Sequence, residues 1–284
     1  MASHLSASHT NASLPDGWLR VDMGDASRGR VMALMSSRQH GDSLPPYAQC
    51  NLGDHVQDDP QAVHRNRAAL ALHMQAKPVW LTQVHGNRIV RLTHDQQGDS
   101  EALHADGAVT TEPGLACTVM VADCLPLLLA APEGKGVAAL HAGWRGLSGA
   151  GSMQGVGIVH TGVQALCDAS GIDPCDLSVW LGPCIGKTQF EVGADVLMGF
   201  GVDPDDTQAH PRFKARSVHG ALQPGADERK WLADLAGLAR DILAELGVRS
   251  ITGGTWCTAS DPSRFFSYRR DGVTGRQAAS ICLR

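Results

Sequence analysis

The sequence is poor in the features that mark nucleic-acid-binding and membrane proteins. Aromatic residues make up only 5% of its 284 residues, and the formal net charge is -5. Few aromatic rings leave little surface for stacking on bases, and an acidic balance disfavours binding to a polyanion. No apolar run approaches the ~20 residues that span a bilayer. We therefore expect no nucleic-acid or membrane partner, and no protein partner is evident from the sequence.

Two further absences concern location and redox chemistry. The first 16 residues lack both the basic start and the apolar run of a signal peptide. None of the eight cysteines lies in a C-x-x-C pair, which argues against a zinc ribbon or a thioredoxin-type motif. We expect a cytoplasmic protein whose cysteines are thiols.

What the sequence does contain is the composition of a globular enzyme. Hydrophobic residues make up 43% and charged residues 19% of the chain. Residues 1–16 are small and polar, which predicts a mobile tail. Residues 17–284 contain no linker, repeat or low-complexity run, and we expect them to form a single catalytic domain.

Short β-rich runs alternate irregularly with helical patterns. Apolar residues spaced by three or four positions predict helices over 59–76, 155–170 and 227–246. Strands are predicted over 30–36, 79–84, 88–92, 107–110, 116–121, 125–130, 136–140, 177–181, 251–256, 265–268 and 278–283. This pattern predicts an α/β (or α+β) fold, with mixed β-sheet layers flanked by helices.

Polar residues gather at the ends of three predicted strands. His85 follows the strand over 79–84, Cys124 precedes the strand over 125–130, and His141 follows the strand over 136–140. Open α/β sheets place their sites at such strand ends. Two imidazoles and one thiolate suit zinc and leave a fourth position for water or substrate. On the residues alone, Cys124 can equally be a core thiol and the histidines can be loop residues.

Longer stretches resemble a known family. The resemblance is carried by NLGDHVQDDPQAVHRNRAAL at 51–70, QVHG at 83–86, ADCLPLLL at 122–129, HAGWRGL at 141–147, GPCIG at 182–186 and FFSYRRDGVTGRQA at 265–278. These stretches resemble the multicopper polyphenol oxidases or laccase-domain proteins, more recently described as purine nucleoside phosphorylases. The resemblance covers about 30–284. It implies one α/β domain with a zinc ion held by His85, Cys124 and His141.

The resemblance also implies reactions of purine nucleosides. These are phosphorolysis of adenosine, inosine and S-methyl-5'-thioadenosine to the free base and (methylthio)ribose 1-phosphate, and hydrolytic deamination of adenosine to inosine. The expected partners are thus purine nucleosides and phosphate. In deamination, zinc would activate the water that attacks C6 of adenine. Asp123, adjacent to Cys124, is the nearest candidate in sequence for the proton shuttle.

Phosphorolysis also needs a cationic group that holds phosphate. Arg38 is the first candidate, because a guanidinium matches phosphate with two parallel hydrogen bonds. Arg145 is the second, although an arginine beside Trp144 can simply stack on the ring. Asn51 can either contact the ligand or orient its own loop.

Two other reaction classes stay open. Copper could occupy the same three ligands and give the polyphenol oxidase activity of the family's older name. Against this, none of the thirteen histidines lies two residues from another, as in the His-x-His pairs of true multicopper oxidases. Alternatively, Cys124 with His85 or His141 could form the dyad of a cysteine hydrolase, although zinc would make the thiolate poorly available.

Overall fold

The centre of the protein is a pair of β-sheets packed face to face. The computed structural model describes residues 13–96, 103–206, 210–216 and 229–284. The strands in these residues are β1 (Leu19–Arg20), β2 (Val31–Met35), β3 (Lys77–Val79), β4 (Ile89–Arg91), β5 (Gly107–Thr110), β6 (Leu115–Val121), β7 (Leu125–Ala130), β8 (Val137–Ala142), β9 (Ser178–Leu181), β10 (Glu191–Val192), β11 (Phe213–Arg216), β12 (Lys230–Ala233), β13 (Ser250–Gly253) and β14 (Gln277–Leu283). The α-helices are α1 (Pro60–Met74), α2 (Trp144–Ser148), α3 (Ile158–Ser170), α4 (Ala194–Gly199), α5 (Leu235–Glu245) and α6 (Tyr268–Asp271).

Parallel and antiparallel strands are mixed in both large sheets. One sheet has the order β1-β2-β14-β6-β3 and the other β13-β9-β7-β8-β5-β4. The pairs β3–β6, β4–β5 and β9–β13 are parallel, and the remaining neighbours are antiparallel. A third, antiparallel sheet has the order β10-β12-β11. The predicted fold class, a single domain of mixed sheets flanked by helices, is confirmed.

The period-two alternation of side chains assigns the two faces of a strand to different layers of the core. In β7, Leu127 and Leu129 pack with helices α3 and α5, whereas Leu128 faces the five-stranded sheet. The outer face of that sheet packs against α1 through Leu70 and Met74. The layers are therefore α1, the five-stranded sheet, the six-stranded sheet, and α3 with α5. Because both faces of β7 are buried, its sequence is an uninterrupted apolar run.

The predicted strand over 79–84 is wrong beyond Val79. The ladder between β3 and β6 ends with Val79 opposite Cys117. Beyond it, the side chain of Gln83 replaces the backbone: its Nε2 donates to the carbonyl of Met120 at 2.8 Å, and its Oε1 accepts from the N–H of Met120 at 2.8 Å. The chain therefore leaves the sheet here as a loop.

The predicted strand over 265–268 and the start of the predicted helix over 227–246 are also wrong. The N–H of Phe266 donates to Oε1 of Gln277 at 2.7 Å instead of to a neighbouring strand, and α6 follows directly. Helix α5 begins only after Asp234, whose carboxylate accepts from the N–H of Gly237 at 2.9 Å and caps the helix. Strand β12 occupies the preceding residues, and 227 and 228 lie outside the described residues.

The predicted mobile tail over 1–16 falls mostly outside the described residues, which begin at 13. Within its described part, Leu14 packs against the core cluster beneath α1. No helix in the described parts of the chain is long and apolar enough to cross a membrane. All eight cysteines carry free thiols.

The burial of β7 on both faces predicts a large cost for truncating its side chains. Leu128 is fully buried between the two sheets. Leu128→Ala should lower the free energy of unfolding by about 2–5 kcal/mol, because it removes buried methyl groups and leaves a cavity. Leu72 is an exposed residue of α1, with 73% of its surface accessible. Leu72→Ala is therefore the matched control and should change stability by no more than about 0.5 kcal/mol in urea unfolding.

Candidate metal centre

Strand pairing brings Cys124, His141 and Asp106 to one edge of the six-stranded sheet. Cys124 stands immediately before β7, and His141 is the penultimate residue of β8. These strands are antiparallel, with Leu125 opposite Ala142, so the start of β7 meets the end of β8. Asp106 stands immediately before β5, which is antiparallel to β8, and its carbonyl accepts from the N–H of His141 at 2.7 Å. Residues far apart in the chain are thus neighbours in the sheet.

Asp106 is a fully buried carboxylate that organises this edge. Its Oδ1 accepts from Nδ1 of His141 at 2.8 Å and from the N–H of His85 at 2.9 Å. Its Oδ2 accepts from the N–H of Gly86 at 2.7 Å and from that of Val84 at 3.2 Å. Burial raises the pKa of Asp106, but these hydrogen bonds outweigh it and hold the pKa below its ordinary value. The bond at Nδ1 leaves Nε2 of His141 as the nitrogen available for a metal.

The turn that carries His85 depends on the same carboxylate. His85 has a φ of 60°, a left-handed conformation that costs a non-glycine residue on the order of 1 kcal/mol. The backbone hydrogen bonds to Asp106 offset this cost. On the other side, a Cβ at Gly143 would lie 2.7 Å from Cδ2 of His85 and 3.2 Å from Sγ of Cys124. A side chain at that position would therefore displace both candidate ligands.

His85, Cys124 and His141 lie close enough together to hold one metal ion. Their ligand atoms all lie within 4.8 Å of one another. Sγ of Cys124 is 3.8 Å from Nε2 of His85, and the two imidazole rings meet edge to face with centroids 4.8 Å apart. Tetrahedral zinc, with its ordinary bond lengths, would separate a sulfur and a nitrogen ligand by about 3.6 Å. The donor set and its spacing thus fit zinc, although two imidazoles and a thiolate also accept copper.

The two histidines make Cys124 an unusually acidic thiol. Burial raises the pKa of Cys124, but His141 and then His85 outweigh it and lower the pKa to about 6. Conversely, burial lowers the pKa of His141, whereas the Cys124 thiolate and then Asp106 raise it above its ordinary value. The cluster therefore favours a thiolate, the form of cysteine that binds metals and acts as a nucleophile.

The cluster faces a cavity of about 680 Å³. This volume lies in the range of small-molecule sites. Besides the three candidate ligands, its wall includes two aromatic and three basic side chains, Trp80, Tyr268, His55, Arg67 and Arg276. The cavity can thus offer a metal, an aromatic surface and positive charge to one ligand.

Asp123 has donors for both of its carboxylate oxygens. The hydroxyl of Thr258 donates to Oδ1 at 2.5 Å, and the N–H of Arg269 donates to Oδ2 at 2.6 Å. Asp123 itself has a φ of 99°, so these bonds stabilise a strained turn directly before Cys124. These contacts stabilise the turn, and the role of Asp123 as proton shuttle stays a prediction.

The three residues predicted to bind phosphate or substrate have other contacts. Arg38 donates to the carbonyl of Ala48 at 3.1 and 3.2 Å, and to that of Pro262 at 3.0 Å. Arg145 stacks on Trp144, with its guanidinium 4.3 Å from the ring centroid. Neither arginine belongs to the described residues that line the cavity, and their binding roles stay predictions.

Asn51, the third of these residues, is fully buried behind the cavity wall. Its Oδ1 accepts from the N–H of Gly53 at 2.9 Å and from the N–H of Arg276 at 2.8 Å. Its Nδ2 donates to the carboxylate of Asp58 at 2.9 Å. Of the two roles left open for Asn51, these contacts favour the orientation of a loop.

The sequence pattern did not single out Asp106 or Arg276. A carboxylate directly before the buried strand β5 is a signal for Asp106, because a charge at the end of an apolar strand needs buried partners. Arg276 lies in the TGR segment before β14, and no spacing marks it. Its partner Asn51 is 225 residues away in the chain, and only the fold brings the two together.

Comparisons with known proteins identify proteins that are similar to this chain. A family model described as "Multi-copper polyphenol oxidoreductase laccase" matches residues 32–284. A Pseudomonas aeruginosa protein named purine nucleoside phosphorylase is 41% identical over 268 residues, covering 94% of this chain and 99% of the relative. The purine nucleoside phosphorylase YfiH of Escherichia coli K12 is 41% identical over 255 residues, covering 89% and 94%.

Solved structures of similar proteins share the fold. The Neisseria meningitidis protein NMB0706 superimposes with a TM-score of 0.77 at 37% identity, covering 94% of this chain and 99% of that one. YlmD from Geobacillus stearothermophilus has a TM-score of 0.79 at 31% identity, covering 96% and 98%. The likeness therefore extends over nearly the whole length of both chains.

The geometry of the three candidate ligands predicts that each is needed for metal binding. His85→Ala, Cys124→Ala and His141→Ala should each abolish stoichiometric zinc while leaving the fold intact, because each removes one of three protein donors. Elemental analysis of zinc-loaded, desalted protein measures this, with circular dichroism as the check on folding. His55→Ala, a cavity histidine outside the cluster, should keep its zinc. Zinc retained in all three variants would contradict the assignment.

The hydrogen bond between Asp106 and His141 predicts that a variant at Asp106 changes the pH at which Cys124 becomes reactive. After chelation of metal, alkylation of Cys124 by iodoacetamide should rise with a midpoint near pH 6. Asp106→Asn removes the negative charge that stabilises protonated His141, and protonated His141 stabilises the thiolate. The midpoint should therefore move to higher pH. Mass spectrometry of the Cys124 peptide measures the rates, and Asp168→Asn, at an exposed residue of α3, should leave the midpoint in place. An unchanged midpoint in Asp106→Asn would show that the carboxylate does not act through His141.

Proposed function

Because the chain belongs to the multi-copper polyphenol oxidoreductase laccase family, whose curated relatives are named purine nucleoside phosphorylases, we propose that it is a metal-dependent purine nucleoside phosphorylase. The observation that carries the proposal is the cavity of about 680 Å³, whose wall combines the cluster His85, Cys124 and His141 with basic and aromatic side chains. A nucleoside and a phosphate ion need a site of this size with these groups.

The proposed substrates are adenosine, inosine and S-methyl-5'-thioadenosine. In phosphorolysis, a phosphate oxygen forms a bond to C1' of the sugar while the bond from C1' to the base nitrogen breaks. The electron pair of the broken bond goes to the base, which takes up a proton, and the products are the base and a sugar 1-phosphate. In the proposed second reaction, water adds at C6 of adenosine and ammonia leaves, giving inosine.

The proposed metal is zinc, held by His85, Cys124 and His141. At these ligands zinc supplies Lewis-acid activation of water and of polar groups on the substrate. Asp106 keeps Nδ1 of His141 in a hydrogen bond, so that Nε2 stays directed to the metal position. Trp80, whose ring carries the guanidinium of Arg67 4.1 Å from its centroid, offers an aromatic surface for stacking of a purine.

A cysteine hydrolase is the second candidate, because one observation favours it. The pKa of Cys124 is lowered to about 6, and its sulfur is 3.8 Å from Nε2 of His85, as a nucleophile and its base would be. Metal content distinguishes the two functions. Stoichiometric zinc with activity lost on chelation supports the phosphorylase, whereas a chelated protein that stays active and is inactivated by alkylation of Cys124 supports the hydrolase.

Copper at the same ligands would support the oxidase of the family's description. Protein loaded with copper and protein loaded with zinc should be compared for oxygen consumption with a phenol. Phenol oxidation at a rate above that of nucleoside turnover, in the copper-loaded protein alone, would favour the oxidase.

Product analysis tests the proposed function directly. Adenosine is incubated with zinc-loaded protein, with and without phosphate, and the products are separated by chromatography. Adenine should appear only with phosphate, and inosine should appear without it. Cys124→Ala should form neither product, because it loses a metal ligand, whereas Cys175→Ala, at a thiol outside the cluster, should resemble the wild type. No product from adenosine, inosine or S-methyl-5'-thioadenosine would overturn the proposal.

A further inference from the structure

Arg276 carries a guanidinium with one edge left unbonded. Its Nη1 donates to the carbonyl of Thr274 at 3.0 Å and to that of Gly275 at 3.1 Å. Within the described parts of the chain, Nε and Nη2 donate no hydrogen bond, and no carboxylate forms an ion pair with the side chain. These two groups form the edge that matches two oxygens of a carboxylate or phosphate in parallel.

The surrounding structure fixes the position of this guanidinium. The N–H of Arg276 donates to the buried Oδ1 of Asn51 at 2.8 Å. The stem of the side chain packs against Gly53, where a Cβ would lie 2.8 Å from Cγ of Arg276. Together with the two carbonyls on Nη1, these contacts hold the side chain at both its base and its tip. An arginine held in this way loses little further conformational freedom when it binds a ligand.

The other arginine of the cavity is already engaged. Arg67 forms an ion pair with Asp54 at 3.1 Å, donates to the carbonyl of Leu52 at 2.9 Å and stacks on Trp80. Its charge therefore has a partner within the protein. Arg276 lines the same cavity without such a partner among the described residues.

Burial, rather than the charges around it, favours an anion at Arg276. Burial holds the pKa of Arg276 below its ordinary value and outweighs Cys124, Asp123 and Tyr268, whose negative charges raise it. A guanidinium that has lost part of its hydration gains more from a bound anion than one in water. Because Arg276 and Cys124 line one cavity, an anion at Arg276 would lie in the chamber that contains the metal cluster.

We propose that Arg276 binds phosphate through Nε and Nη2, in the cavity beside His85, Cys124 and His141. The inference rests on the proposed phosphorylase function and assigns its phosphate site. Inorganic phosphate and the phosphate group of the sugar 1-phosphate product share the chemistry that this edge recognises. Both should bind at Arg276, one as substrate and the other as product.

Direct binding measurements test the assignment without any need for turnover. Inorganic phosphate is titrated into zinc-loaded protein by calorimetry in the absence of nucleoside, and ribose 1-phosphate and ribose are titrated in parallel. Arg276→Gln should weaken binding of both phosphates by about 10- to 100-fold, since it removes two charge-assisted hydrogen bonds. Arg276→Lys keeps the charge but loses the paired donors, and its affinity should be intermediate. Ribose binding should not depend on residue 276.

The matched control is Arg240→Gln. Arg240 is a half-buried arginine that donates to the carbonyls of Ile251 and Gly253 and lies outside the described cavity wall. Its variant should bind phosphate as the wild type does. Thermal unfolding and zinc content of each variant report whether the fold and the metal cluster survive. In phosphorolysis assays, Arg276→Gln should raise KM for phosphate about 10- to 100-fold and leave KM for the nucleoside within about twofold.

Three results would overturn the assignment. They are wild-type protein that binds no phosphate at millimolar concentration, Arg276→Gln that binds phosphate as tightly as wild type, and a loss of phosphate affinity in Arg38→Gln with none in Arg276→Gln. The proposed function can fail separately. Phosphate binding that depends on Arg276, in a protein that releases no base from any nucleoside, would support the phosphate site and overturn the phosphorylase.

Discussion

The candidate metal site, His85, Cys124 and His141, depends on one buried carboxylate. Asp106 accepts four hydrogen bonds, one from the ring of His141 and three from the turn that carries His85. It therefore orients one candidate ligand directly and holds the backbone of a second in a left-handed conformation. A fully buried charge is costly unless donors surround it, so the carboxylate and the turn stabilise each other. Loss of the carboxylate would leave the three N–H groups of the turn without their acceptor, and loss of the turn would leave the carboxylate buried with fewer donors.

The two stacked sheets give this carboxylate a rigid base. Strands β7 and β8 are buried on both faces, and β5 is buried beside them. Their register sets Cys124, His141 and Asp106 at one edge, with His141 inside β8 and the other two directly before β7 and β5. His85 comes from a loop between β3 and β4, and that loop is hydrogen-bonded to Asp106. A metal site built on strand ends keeps its geometry because strands in a close-packed core move little.

The cavity combines chemistry from distant parts of the chain. The candidate metal ligands come from residues 85–141, whereas Arg276 comes from the segment before the last strand, and Asn51 connects it to the segment before α1. A ligand in the cavity would thus meet the three candidate metal ligands and the guanidinium of Arg276 in one chamber.

The sequence by itself determined the fold class and most strands, and it predicted His85, Cys124 and His141 as the three residues that the fold brings within 4.8 Å of one another. Buried strands such as β5 and β7 appear as apolar runs with the predicted boundaries, and the polar residues Cys124 and His141 interrupt such runs at their ends. Only the tertiary structure decided which charged groups line the cavity. Arg38 is bonded to backbone carbonyls, whereas Arg276 lies in the cavity with a free edge. The physical reason is that long-range packing sets the partners of a buried charge, and the spacing of residues along the chain does not indicate which residues will pack together.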